Sequence, residues 1–395
     1  MSKPNRWRIL AVLFVAQLTF AFTFQSIPPI LGAIMSDLGL SHGQAGALMS
    51  MYAIPGILIS IPAGLLADYY GYRRVGLLSL FVTVLGTLSV AVTSIFPLLA
   101  GGRMIAGIGG MTVAVLVPPA LSQWFPARET GIAMGIINMG MPLGTILSFN
   151  IFSQLGQSWG WRLPILLTVA VGVVAFIAML IGYPRSTAAA GEAAVGEFSF
   201  LAAIGQVKGP VWLVAGVWSA YNAGVLSYLT FAPDYYMSLG MTSSYAGFLA
   251  SLFMVGALLS PMVGYLIDKT EGMEMMMMGG NMVVMILLLI IFHGGWNPLI
   301  LGLLLGMAGS FVPAPVYAII PRLVGPERRG LAFGIVSSCM NIGAALGPFL
   351  VGRYRDLTGS YYYSFLLMAA FLFLAAFFAL RLQITKKRFG EDFKK

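Results

Sequence analysis

The sequence predicts an all-α membrane protein with twelve transmembrane helices in two pseudo-symmetric six-helix bundles. Three observations predict it. Of 395 residues, 59% are hydrophobic and only 9% are charged, where soluble domains carry about 25% charged residues. Apolar runs long enough to cross a bilayer, about 20 residues each, recur twelve times. The chain also repeats itself: Gly64 and Asp68 return as Gly264 and Asp268, two hundred residues later, between the second and third runs of each half. Such a repeat in so apolar a chain points to a transporter built from two related halves.

In the first half the runs lie near 8–33, 45–67, 75–94, 97–121, 130–154 and 162–183. In the second they lie near 210–237, 245–267, 275–293, 297–321, 329–352 and 361–382. The first run is too long for a signal-peptide core and is read as a spanning helix. The third and fourth are joined only by Thr93–Pro97. The predicted organisation is an N-terminal bundle (1–185), a linker (186–209) and a C-terminal bundle with a basic tail (210–395). In the linker, Phe198, Leu201, Ile204 and Val207 recur at helical spacing, as in a short surface helix; a disordered tether is the alternative.

Lys and Arg set the orientation. Lys3, Arg6, Arg8, Arg73, Arg74, Arg128, Arg185, Lys208, Lys269, Arg322, Arg328, Arg329 and the tail fall on one side; the other has Arg162, Arg353 and Arg355. The rich side is read as cytoplasmic, with both termini inside and the chain in the cell membrane. A net charge of +9 then reflects loops facing anionic lipid, not nucleic acid. The single cysteine, Cys339, lies within an apolar run and forms no intrachain disulfide.

The stretch Gly64-Leu-Leu-Ala-Asp68-Tyr-Tyr-Gly71-Tyr-Arg73-Arg74 resembles the loop signature of the major facilitator superfamily, roughly Gly-x-x-x-Asp-Arg-x-Gly-Arg-Arg/Lys. Tyr69 and Tyr72 depart from it, and Glu271 stands where the second copy's glycine belongs. A second repeat supports the duplication. Pro126-Ala-Arg128-Glu-Thr-Gly131 is echoed by Pro326-Glu-Arg328-Arg329-Gly330, each opening the fifth run of its half. Pro118, Pro119 and the glycine-rich fourth and fifth runs look somewhat like the family's cyanate- and nitrate-related branch. The absence of an arginine in the second or eighth run counts against nitrate itself.

Enzyme and metal chemistry find little footing. His42 and His293 are far apart, and no His-Glu-x-x-His, Cys-x-x-Cys, Gly-x-Ser-x-Gly or ATP-binding loop occurs. Met273–Met278 reads as an apolar helix start rather than a soft-metal site. No catalytic residue, metal or cofactor is expected.

A charge inside the membrane is costly and therefore informative. Arg103 is the one that qualifies, with Gly107, Gly110 and Ala114 on its face. Arg103-Met-Ile-Ala-Gly107 resembles the family's helix-four motif, whose arginine is linked to substrate binding or proton coupling. A structural arginine bonded to neighbouring carbonyls is the alternative. No Asp or Glu falls in mid-span. A positive cavity without an acid suits an anionic substrate, moved by exchange, by facilitation or with its own proton. Trp218, Tyr221, Asn222, Val225 and Tyr228 form a stripe on the seventh helix. Thr19, Thr23 and Ser26 share a face of the first. Family architecture would bring Arg103, Thr23 and that stripe to one cavity. For Trp218 and Tyr228 ordinary packing is the alternative. For Asn138 and Asn341, both near mid-span, interhelical hydrogen bonding is the stronger reading.

The resemblance further implies a gate. Gly64, Asp68, Gly71, Arg73 and Arg74, with the second-half Asp268, would act with Arg128, Arg328 and Arg329 at the starts of the fifth and eleventh helices. A carboxylate is attracted to a helix N-terminus. Together these readings predict a monomeric transporter in the lipid bilayer. It would move a small solute, a small organic anion, by alternating access, with a proton or counter-anion as coupled species. Efflux of hydrophobic or drug-like compounds is the rival, favoured by the aromatic stripe and 24 methionines. A non-transporting sensor or scaffold is a third class, and no long soluble domain supports it.

Overall fold

The computed structural model describes residues 5–184, 209–258, 263, 272–325 and 329–388. Residues 186–208, Gly264, Asp268 and Arg328, and the side chains of Asp68 and Arg128, lie outside the described residues, and with them the expected linker helix and the acidic halves of the gate.

The described chain is helical. The first span is α1 (Arg6–Phe24), a 3-10 turn (Pro28–Ile30) and α2 (Leu31–Leu38). Then follow α3 (His42–Tyr70), α4 (Tyr72–Val92) and α5 (Phe96–Ser122). The fifth span is composite: α6 (Ala127–Asn138), α7 (Gly140–Leu147), a π turn (Ser148–Phe152) and α8 (Ser153–Trp159), and α9 (Arg162–Gly182) is the sixth. The second half runs α10 (Gly209–Ser238), α11 (Ser243–Ala257), α12 (Met273–His293), α13 (Pro298–Gly309) with α14 (Pro313–Leu323), α15 (Arg329–Thr358) and α16 (Tyr361–Arg388). Nine of these spans are long and apolar enough to cross a membrane among the described residues. The helices α3, α10 and α11 complete the twelve of an all-α membrane fold.

Helix ends follow from the sequence. Gly39 (φ 63°) closes α2 and Gly71 (φ 85°) separates α3 from α4, both in the left-handed region where a Cβ is strained. Pro142 has no N–H to give the carbonyl of Asn138, and α6 stops there. Pro313 ends α13 in the same way, after Gly309.

The chain divides into two compact units. Unit 1 is residues 1–40, 47–195 and 240–248; unit 2 is 41–46, 196–239 and 249–395. Each therefore takes a short piece from the other half, at the start of α3 and of α11. Within unit 1, α4 packs on α5 and α9, and α1 on α5, α7 and α9. Within unit 2, α12 packs on α13 and α16, and α10 on α15 and α16. The third–fourth, third–sixth, first–fifth and first–sixth pairings thus recur in both halves.

Small residues set these approaches. A Cβ on Gly86 would collide with the backbone of Ala106, one on Gly109 with Ser79, and one on Gly107 with the carbonyl of Tyr52. The glycines of α5 therefore admit both α4 and α3 at backbone contact.

Candidate functional site

Arg103 sits on α5 and is 2% exposed. All three of its nitrogens are taken by the protein. Nε donates to the carbonyl of Leu48 at 3.0 Å. Nη1 donates to the carbonyl of Thr23 at 2.6 Å and reaches Ser26 Oγ at 3.4 Å. Nη2 donates to the carbonyl of Phe24 at 3.3 Å and approaches Met49 Sδ at 3.7 Å. The guanidinium lies 4.6 Å from the ring centroid of Tyr52, a cation–π contact. None of these partners is a carboxylate.

The local sequence explains why those carbonyls need a donor. In an α-helix the carbonyl of residue i is served by the N–H of i+4. Pro28 and Pro29 have no N–H, so Phe24 and Gln25 lose their helical donors. Arg103 serves Phe24. Ser148 Oγ, from the π turn, donates to the carbonyl of Gln25 at 2.8 Å. The break in the first span is thus held by side chains from the fourth and fifth. These contacts are those of a structural arginine. The guanidinium nonetheless carries its charge into the middle of unit 1.

Thr23 is buried, and its hydroxyl donates back to the carbonyl of Thr19 at 2.7 Å. The Thr19–Thr23–Ser26 face is therefore turned inward on its own backbone. Asn138 is exposed at the end of α6.

In unit 2 the stripe is packed. Trp218 and Tyr221 stack at 5.4 Å with 9° between planes, and Tyr317 meets Trp218 edge-on at 5.6 Å. Tyr221 OH donates to the carbonyl of Gly309 at 3.0 Å, the carbonyl that Pro313 deprives of its α-helical donor. Asn222 is half-buried and donates to the carbonyl of Trp218 at 2.8 Å. Tyr228 is buried, its hydroxyl 3.3 Å from that of Tyr236. Asn341 donates to Ser337 on its own helix at 3.1 Å, and its Oδ1 is buried without a partner among the described residues. Its bond is therefore within one helix and not across two.

Of the motif residues, Arg73 has a definite role in unit 1. Its Nε donates to the carbonyl of Tyr183 at 3.1 Å and Nη2 to that of Leu180 at 2.6 Å. A cation there meets the negative end of α9. Arg74 is exposed, as is Arg329 at the start of α15. A Cβ on Gly64 would meet nothing within 4 Å, so space alone does not demand glycine there.

Buried charge is otherwise sparse. Glu274 in the first turn of α12 is 4% exposed and pairs with Lys386 at 2.8 Å. The sequence reading passed over two groups: Pro28-Pro29 with Ser148, and His42 with its carboxylate partners. The first was legible as two prolines following a helical run by four residues.

The family model of the Major Facilitator Superfamily matches residues 13–301 and 276–394. Among curated relatives, the lysosomal dipeptide transporter MFSD1 of Danio rerio is 24% identical, over 94% of this chain and 83% of that protein. A nitrite extrusion protein of Bacillus subtilis is 22% identical, over 87% and 86%. Among solved structures, a mutant of the nucleoside transporter NupG aligns with TM-score 0.79 at 16% identity, covering 95% of this chain and 99% of that one. A bacterial homologue of the human lysosomal transporter Spinster, inward-facing and occupied, aligns with TM-score 0.77 at 19% identity, covering 98% of each. The duplicated helical packing, the loop signature and these likenesses agree: the chain is a transporter that belongs to the Major Facilitator Superfamily.

Proposed function

We propose that this chain carries a small organic anion across the membrane by alternating access. The observation that carries the reading is Arg103, a buried cation whose contacts among the described residues include no carboxylate. A charge so placed in a low-dielectric interior leaves a positive potential around it. Its N–H groups are already committed, so it acts through that field and by holding the first span, not as a direct ligand. Acidic side chains sit at helix ends: Asp37 in α2, Asp234 in α10, Asp356 in α15 and Glu274 in α12. They do not cancel Arg103 by direct pairing. Two of the relatives are named for a dipeptide, a zwitterion with a terminal carboxylate, and for nitrite, an inorganic anion; each carries an anionic group of the kind a positive potential attracts. Thr23 and Asn138 of unit 1, and Trp218, Tyr221, Asn222, Tyr228 and Asn341 of unit 2, are the proposed neutral contacts for the solute, each within its own unit. The motif residues Gly64, Asp68, Gly71, Arg73 and Arg74 are its proposed gate. The side rich in Lys and Arg is the proposed cytoplasmic side, with both termini on it.

A thermal-shift panel on the purified protein tests the class, because a ligand of the native state raises apparent stability. Small carboxylic acids and dipeptides are expected to raise it, and sugars, nucleosides and cationic dyes to leave it unchanged. Stabilisation by cationic dyes alone would overturn the reading.

A further inference from the structure

At one end of unit 2 the imidazole of His42 lies between two carboxylates. Nδ1 is 3.0 Å from Asp356 Oδ1, and Nε2 is 3.3 Å from Asp234 Oδ2. Asp356 also caps α3: it accepts from the backbone N–H of His42 at 2.9 Å and of Gly43 at 2.7 Å. Asp234 also accepts from the hydroxyl of Tyr361. The ring of Tyr361 stands edge-on to the imidazole at 6.1 Å, and Phe231 flanks it at 6.4 Å. A Cβ on Gly352 would collide with the carbonyl of His42, so α15 touches the backbone here. Among the described residues, the other charged groups beside this cluster are Arg355, 4.7 Å from the Tyr361 ring, and Arg353, exposed beside Gly43.

A carboxylate only accepts hydrogen bonds, and a neutral imidazole has one donor. Whichever nitrogen then keeps its proton, the other turns a lone pair toward a carboxylate. The imidazolium alone satisfies both contacts. We propose that His42 is a proton site of this carrier, and that its protonation latches the first turn of α3 to Asp234 of α10 and Asp356 of α15. The proton comes from the aqueous phase at that end, and no other bond changes. Loss of a proton from the ring turns one of the two contacts into lone pair against carboxylate, so the docking is looser with the neutral ring. Imidazoles change charge between about pH 5 and 8. Residues 41–46 belong to unit 2 while α3 continues into unit 1 from Ala47. The proton therefore governs the freedom of the start of α3 within unit 2. The proposal does not depend on which solute is carried.

The chain has two histidines, so the effect is assignable. Hydrogen exchange at the start of α3 is read in the full-length protein in lipid nanodiscs at about pH 5.5 and about pH 8, corrected for the intrinsic pH dependence of exchange. Wild type and His293→Gln are expected to be protected about tenfold more at the lower pH. His42→Gln should lose that difference. Asp234→Asn, which leaves Asp356 for a neutral imidazole, should shrink it while keeping the helix cap. A wild type whose protection does not change with pH would overturn the proposal. So would a His42→Gln protein, or an Asp234→Asn protein should the first not fold, that keeps the full difference.

Discussion

Arg103 Nη2 donates to the carbonyl of Phe24, the carbonyl that Pro28 leaves without a helical donor. One charged side chain on the fourth span thus substitutes for a missing backbone N–H on the first. The same guanidinium holds Thr23 and Leu48, so three helices meet on it. A buried cation in this position is at once a structural tie and a source of positive potential.

Removing the guanidinium should therefore cost stability whatever the solute. Losing three charge-assisted bonds, and leaving the buried carbonyl of Phe24 without a donor, predicts a loss of about 3 kcal/mol for Arg103→Ala. Arg103→Lys should lose less, about 2 kcal/mol, since an ammonium cannot span the same carbonyls in a planar fork. Chemical denaturation in detergent reads both. Equal stability of wild type and Arg103→Ala would remove the structural tie.

A double-mutant cycle with Pro28→Ala isolates the relationship. Alanine restores the N–H at position 28. The cost of Arg103→Ala should then fall by about 1 kcal/mol, the net worth of one hydrogen bond. Strict additivity of the two substitutions would say that Arg103 does not serve the proline-freed carbonyl.

Glycines on α5 make a steric prediction. Gly107→Leu should abolish the monodisperse folded protein, because its side chain must enter the carbonyl of Tyr52. Ile108→Leu, at a 41% exposed position next in sequence, should leave the elution profile unchanged. The contrast is read by size-exclusion chromatography.

In the loop signature, Arg73 and Arg74 should separate. Arg73 holds the last carbonyls of α9, and Arg73→Ala should lower stability by about 1 kcal/mol. Arg74→Ala should stay within about 0.5 kcal/mol, as surface substitutions do. Identical thermal midpoints for the two variants would contradict this division.

Much of the fold was legible because bilayer thickness fixes helix length. The predicted run 97–121 is observed as Phe96–Ser122, and 162–183 as Arg162–Gly182. The sequence reading missed the breaks. The first span does not end near residue 33 but continues as α2 to Leu38 beyond the Pro28–Ile30 turn. Hydropathy is blind to this, since Pro28, Pro29 and Ile30 are as apolar as a helix needs. Arg103 was legible as an anomaly of charge, but its partners were not, because backbone carbonyls carry no sequence signature. His42 was passed over for a related reason. Its two carboxylate partners lie 192 and 314 residues away, and periodicity within one helix cannot pair them.

The central claim is tested most directly by solute counterflow into proteoliposomes holding the purified protein, with a panel of labelled small carboxylic acids, dipeptides and lipophilic cations. The account predicts saturable accumulation of at least one carboxylate-bearing solute, absent from protein-free liposomes and reduced by Arg103→Lys. Counterflow of lipophilic cations with none for any carboxylate would contradict it.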